Sequence, residues 1–188
     1  KKIEFNLKRE KIELNPVPFY KKIGNETGYI VLTGFNQKAA SEVKKAFEDL
    51  KTQGITSLIL DLRSNPGGLL GEAVDISNFF LPKGKIITST KAKVKKWSNT
   101  YLSRNNPLDL EIPIVVLING SSASASEIVT GALQDYDRAV VMGKRSFGKG
   151  LVQRYRTLSY GTQLKVTISK YYTPSGRCIQ ELDYANRD

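Results

Sequence analysis

Apolar and polar positions alternate in different rhythms along the chain, and each rhythm predicts an element. Ile3, Phe5 and Leu7, then Ile12 and Leu14, alternate with polar residues before Pro16 and Pro18. This predicts two short strands or a β-arm over residues 1–20. Residues 28–35 (GYIVLTGF) read as a buried strand. Residues 37–53 repeat at helical spacing, with Ala40, Val43, Ala46, Phe47 and Leu50 on one face and Gly54 as the closing residue. The run ITSLILDL (55–62) is almost continuously apolar, as a strand buried on both faces requires. RSNPGG then makes a sharp turn, and residues 69–80 return to helical spacing until Pro82 and Gly84.

The second half repeats the logic. Residues 85–96 alternate weakly, as a strand or hairpin edge does, and residues 97–110 read as a polar surface loop or lid. IPIVVLI (112–118) is a third buried strand that runs into a small-residue stretch, SSASAS. A helix follows over residues 127–135, then a short strand over 139–142 and a Gly-rich turn. Residues 151–158 and 162–172 predict two strands around the Tyr160-Gly161 turn. TPSGRC makes a further turn, and residues 183–188 read as a frayed tail. Strands alternating with helices, with strands at both flanks, make an α/β layer fold.

Composition narrows the chemistry. The 188 residues, 40% of them hydrophobic, support one good core. No apolar run reaches the roughly 18 residues of a membrane span. The chain opens mid-pattern without a secretory signal and is read as a trimmed fragment. The single cysteine, Cys178, has no disulfide partner, and without a histidine to activate it is read as inert. The count of zero histidines excludes a Ser-His-Asp triad, a Cys-His pair and an HExxH zinc site. Any general base is therefore Lys, Asp, Glu or Tyr. The net charge of +11 suits an anionic partner, but the basic residues are scattered, with clusters only near residues 1–11 and 91–96. No aromatic-rich RNA-binding motif goes with them, so no nucleic-acid partner is expected.

Candidate chemistry concentrates in residues 119–150. Small residues let a substrate backbone approach, and a serine at a helix N-terminus lies among free N–H groups. Ser124-Ala-Ser-Glu127 also fits a capping box, in which the serine only caps its helix. Ser122 and Ser126 stand beside it, and local sequence does not choose among the three. Lys149 is a candidate base. An ordinary lysine, with a pKa of about 10.4, is a poor one, and burial would improve it. Its FGKG setting suggests such enclosure. The same turn, residues 143–150, is one letter short of a phosphate-binding GxxxxGK[ST] loop. Gly150 replaces the magnesium-binding hydroxyl, and a strand follows where that loop needs a helix. SxxK matches at Ser146–Lys149 and Ser41–Lys44 lack the companion motifs of penicillin-recognising enzymes. Gly67 and Gly68 form either a tight strand-to-helix turn or an oxyanion hole. If strands 55–62 and 112–118 are parallel neighbours, the Gly turn and the serine run open at one edge.

Three stretches, DLRSNPGGLL, NGSSASASEIVTGALQDYDRAVVMGKRSFGKGLVQ and YYTPSGRCIQ, resemble the carboxyl-terminal processing (tail-specific) proteases. These are serine–lysine peptidases, and the likeness covers residues 28–180. It implies an α/β fold with a crotonase/Clp-protease-like core of parallel βα units and flanking β-strands. It implies Ser124 as nucleophile, Lys149 as base and Gln153 as the residue that orients the lysine. The oxyanion hole would use the N–H of Ala125 and that of Gly67 or Gly68. Asp135 matches an acidic position that some members implicate. No metal and no cofactor are implied. The substrates would be proteins or peptides, bound extended and cut near their C-termini. The family works mostly in the bacterial periplasm or envelope and in thylakoid lumens. Its members normally carry a PDZ domain before the core. Residues 1–20 are therefore expected to be the end of that domain or a linker, and 21–188 the protease core. Membrane association would need segments outside this stretch, and homo-oligomerisation stays open. The competing readings are a catalytically silent peptide-binding module of the same fold and a crotonase-type acyl-CoA enzyme.

Overall fold

The computed structural model describes residues 2–8, 10 and 14–181. Ile12 of the expected arm and the tail at 183–188 lie outside these. Residues 2–8 form no strand. The sheet begins with β1 (Phe19–Ile23), which pairs antiparallel with β2 (Thr27–Val31). Val17, just before it, is already in the core, and the Pro16 carbonyl accepts the Thr33 N–H.

The helix α1 (Ala39–Thr52) buries Val43, Ala46, Phe47 and Leu50 as its spacing predicts, with Ala39 in place of the half-buried Ala40. It ends at Gly54, whose φ of 74° needs no Cβ penalty. The strand β3 (Ser57–Asp61) lies parallel to β2, and β6 (Ile114–Ile118) lies parallel to β3 on its other side. With β7 (Val140–Gly143) parallel to β6, the first sheet runs β1-β2-β3-β6-β7. Leu58, Leu60, Ile114 and Val116 are buried, as expected of central parallel strands. The helices α2 (Leu70–Asn78) and α3 (Ala125–Asp135) pack on each other, and their apolar faces supply Ile76, Ile128, Val129 and Leu133 to the core.

A second, antiparallel sheet runs β5-β4-β9-β8. Its strands are β4 (Ile86–Lys91), β5 (Asn99–Leu102), β8 (Leu151–Thr157) and β9 (Gln163–Tyr172). Both α2 and α3 touch β4 and so tie the two sheets together. The strand β5 corrects the loop expected over 97–110. Its polar sequence, NTYL, hides a strand because pairing with β4, and not burial, holds it. Among the described residues no helix is long and apolar enough to cross a membrane.

Candidate active site

Because β3 and β6 are parallel neighbours, the turns after them open at the same edge of the sheet. Two asparagines lock those turns together. Asn119, just past β6, accepts the Ser64 N–H at 2.9 Å and donates to the Ser64 hydroxyl at 3.1 Å. Fully buried Asn65 donates to the Leu32 carbonyl at 2.8 Å and accepts the Gly67 N–H at 2.9 Å. Its own carbonyl accepts the Ala123 N–H at 3.0 Å and the Ser126 hydroxyl at 2.9 Å. A third anchor sits below. Buried Asp61 accepts from Tyr29 Oη at 2.5 Å and from Arg63 Nη2 at 2.6 Å. Burial alone would raise the Asp61 pKa, but the Arg63 and Tyr29 hydrogen bonds outweigh it and hold the carboxyl below its usual range.

The three serines separate by environment. The Ser122 hydroxyl donates to the Leu62 carbonyl at 2.7 Å and the Ser126 hydroxyl to the Asn65 carbonyl, and both residues are fully buried. Ser124 between them is half-exposed and donates its hydroxyl to no carbonyl among the described residues. Its backbone has φ 56° and ψ −110°, a conformation that costs a non-glycine residue about 1–3 kcal/mol. Such strain is kept where a side chain is held out at the head of a helix, as at strand-to-helix nucleophile turns.

Gly67 explains the room around that turn. At φ 95°, a Cβ on it would lie 2.6 Å from the Ala123 carbonyl oxygen, 2.8 Å from the Ala125 nitrogen and 2.9 Å from Ser124 Cβ. The Gly67 N–H is taken by Asn65, whereas those of Gly68 and Ala125 have no acceptor among the described residues. Gly67→Ala therefore forces both a strained φ and a clash with rigid backbone. The expected cost is about 1–3 kcal/mol or more of stability, together with loss of any activity that needs this turn, read by urea unfolding and by cleavage assay. Unchanged stability and turnover would remove the close-approach argument.

Glu127 joins Ser124 to Lys149. This carboxylate, only 6% exposed, accepts the Ser124 N–H and the Lys149 N–H on one oxygen, Oε2, each at 2.8 Å. Its other oxygen accepts the Gly148 N–H at 2.6 Å and the Ser146 hydroxyl at 2.8 Å. The Ser124 and Lys149 backbones thus lie within about two hydrogen-bond lengths of each other. Sequence reading found Glu127 only as the partner in a capping box. The half it missed comes from residues 19 to 22 positions away, which no local pattern reveals.

The Lys149 loop is braced from outside as well. The Gly150 N–H donates to Gln180 Oε1 at 2.9 Å, and the Glu181 N–H donates to the Gly148 carbonyl at 3.1 Å. A Cβ on Gly150 would meet the Gln180 backbone, which is why glycine stands where a phosphate-binding loop has a hydroxyl. Lys149 itself is exposed, not enclosed as its FGKG setting suggests. Gln153, on β8 four residues after Lys149, lines the same cavity of about 440 Å³ as Lys149 and Leu151.

Asp135 is elsewhere. It ends α3, about 16 Å along the helix from Ser124. It does not face solvent: its side chain is buried, accepts the Ser175 N–H at 2.8 Å and pairs with Arg177. Burial pushes its pKa up, but hydrogen bonds from Thr173, Ser175 and Arg177 more than offset this and hold it below the usual carboxylate range. Asp135 thus anchors the turn that carries Gln180 and Glu181 to the Lys149 loop. A lowered folded pKa contributes stability that is present above the unfolded value, about 3.9, and is lost as pH falls through the folded value. Asp135→Asn is expected to lower stability at neutral pH and to flatten its decline below about pH 4, measured by urea midpoints against pH. An unaltered profile would show that the anchor contributes nothing.

A family model, peptidase family S41, matches residues 26–184. The chain is 42% identical over 182 residues to a carboxyl-terminal-processing protease of Synechocystis sp., covering 95% of this chain and 42% of that protein. It is 40% identical over 184 residues to a carboxy-terminal-processing protease of Bartonella bacilliformis, covering 96% and 42%. It thus spans less than half the length of the curated relatives it matches. Among solved structures, a photosystem II D1 C-terminal processing protease superposes with a TM-score of 0.82 at 33% identity, over 91% of this chain and 47% of that one.

Proposed function

The chain belongs to peptidase family S41, and from that premise we propose that it is a serine endopeptidase that cuts proteins near their C-termini through a Ser124–Lys149 dyad. One observation carries the assignment. A single Glu127 oxygen holds the backbones of Ser124 and Lys149 together, while the two neighbouring serines are buried and committed to carbonyls.

In this reading the neutral Lys149 amine takes the Ser124 hydroxyl proton as Oγ bonds to the substrate carbonyl carbon. The N–H groups of Ala125 and Gly68 hold the oxyanion, since Asn65 already occupies that of Gly67. The C–N bond breaks, and the proton on Lys149 passes to the leaving amine. Water then attacks the acyl-enzyme, losing its proton to Lys149. Collapse releases the carboxylic acid and returns the proton to Ser124 Oγ. A substrate lying over exposed Lys149 supplies the dehydration that an amine needs to act as a base. Gln153 steadies the amine from β8, and Asp135 acts at a distance by holding the turn that braces the loop. The same reading sets the protein in the bacterial envelope.

The test is covalent. A serine-reactive phosphonate is expected to add once, at Ser124, and to add far more slowly to Lys149→Ala. Absence of labelling, or labelling elsewhere, would favour a silent peptide-binding module instead.

A further inference from the structure

The strands β8 and β9 form a ribbon that stands out from the body of the protein. They pair from Leu151 opposite Lys170 to Thr157 opposite Gln163, and β8 is the outer strand of its sheet. Every residue from 153 to 167 is exposed. Cross-strand partners share a face. Val166 with Arg154 and Leu164 with Arg156 therefore lie on one side, and Tyr155 with Lys165 on the other. Large apolar or aromatic groups stand in water on both faces: Tyr155 is 65% exposed, Leu164 47% and Val166 39%. The tip adds Leu158 and a fully exposed Tyr160. Tyr160 has φ 59°, a left-handed backbone that glycine or asparagine adopts more readily.

Charge follows the same axis. Residues 151–172 contain no Asp or Glu. Among the described residues no carboxylate pairs with Arg154, Arg156 or Lys165. The Lys165 ammonium stands 5.6 Å from the centroid of the Tyr155 ring. At about 3.4 Å per strand residue, Arg156 lies roughly 7 Å behind Leu158 and Arg154 roughly 13 Å behind it. An apolar tip with cations set that far back matches a bilayer interface, where apolar groups enter about 5–10 Å and cations meet anionic headgroups. A protein partner covers one face of a ribbon, whereas the interfacial zone of a bilayer surrounds both and favours tyrosine there.

We propose that the β8–β9 hairpin is a finger that docks the protein on an anionic lipid surface, with Leu158 and Tyr160 inserted and Arg154, Arg156 and Lys165 at the headgroups. Docking of this kind needs no membrane-spanning helix. It does not depend on the peptidase reading. Joined to that reading, the finger sets the height of the site. Gln153 stands at the root of the ribbon, roughly 17 Å from Leu158, so the dyad meets polypeptide held close to the lipid.

The test is flotation of the chain with vesicles of phosphatidylglycerol and phosphatidylcholine in equal parts, and with phosphatidylcholine alone. The expected result is binding to the anionic vesicles, weakened by salt, and at least about tenfold weaker binding to the neutral ones. The net charge of +11 alone gives as much, so the variants decide. Leu158→Ser together with Tyr160→Ser, at exposed positions, leaves the charge unchanged and should weaken binding at least about tenfold. Arg154→Gln with Arg156→Gln should weaken it by roughly tenfold or more, whereas Lys44→Gln with Lys45→Gln, which removes the same charge from exposed positions of α1, should change it by less than about threefold. Urea midpoints check that each variant is folded. Tyr160→Trp in a Trp97→Phe background should show blue-shifted emission on the anionic vesicles. Absence of binding, or an unshifted emission, overturns the proposal. So does retained binding in the tip variant, or equal loss from the two charge pairs, because the lipid then reads net charge and no finger. A chain that does not float, but whose tip variant changes the molar mass in sedimentation, uses the hairpin as a protein contact, and that result also overturns the proposal. Flotation needs no turnover, so it is scored apart from phosphonate labelling, and either can fail alone.

Discussion

Ser124→Ala and Lys149→Ala are each expected to reduce peptide cleavage by at least roughly 10⁴-fold, because a nucleophile and its base act as one unit and loss of either removes the covalent route. The informative comparison is with the flanking serines. Ser122→Ala and Ser126→Ala remove hydroxyls that donate to the Leu62 and Asn65 carbonyls. Each carbonyl keeps one backbone donor, the Asn65 N–H at Leu62 and the Ala123 N–H at Asn65, so each loss should cost about 0.5–1.5 kcal/mol of stability, and cleavage should remain measurable. The four variants thus split cleanly into two that fold and do not cut, and two that cut and fold less well. Chemical denaturation and a steady-state cleavage assay on the same preparations separate the classes. Cleavage persisting in Ser124→Ala would end the nucleophile assignment, whatever the other three do.

The second large effect belongs to Glu127. Its two oxygens take four donors from two segments, in a site that water barely reaches. Glu127→Ala orphans those donors and should destabilise the protein by about 3–5 kcal/mol, a large part of the 5–15 kcal/mol that holds a typical domain together. Glu127→Gln keeps the shape but turns an N–H group toward N–H donors, so it should fall between wild type and alanine. If Glu127 only caps α3, the Gln variant will lose stability while its rate of phosphonate labelling at Ser124 stays unchanged. If it also positions the dyad, labelling of the folded Gln variant will slow by tenfold or more at conditions where both proteins are fully folded. A shift in stability of under about 0.5 kcal/mol for Glu127→Ala would discard the clamp altogether.

Much of this protein was legible along the chain. The apolar runs 55–62 and 112–118 read as buried strands of the kind a parallel sheet needs, and they pair as parallel neighbours. The helical face Val43–Ala46–Phe47–Leu50 and the Tyr160-Gly161 turn were fixed by local periodicity and turn chemistry. Absence of histidine narrowed any base to Lys, Asp, Glu or Tyr, and the glycines after β3 marked a tight turn, where Gly67 comes close to Ala125. The strand β5 was not legible, because its stability comes from a partner strand and not from its own pattern. Nor were the different environments of the three serines, of which Ser122 and Ser126 are buried. The exposure of Lys149 was not legible either. Whether a side chain is covered depends on what packs over it, and glycines on both sides constrain only the backbone. Residue types and spacing by themselves determined most of the elements and named the candidate groups. Only the tertiary structure decided that Glu127 binds both Ser124 and Lys149. That clamp joins residues far apart in the chain, and its geometry exists only after the sheets have formed.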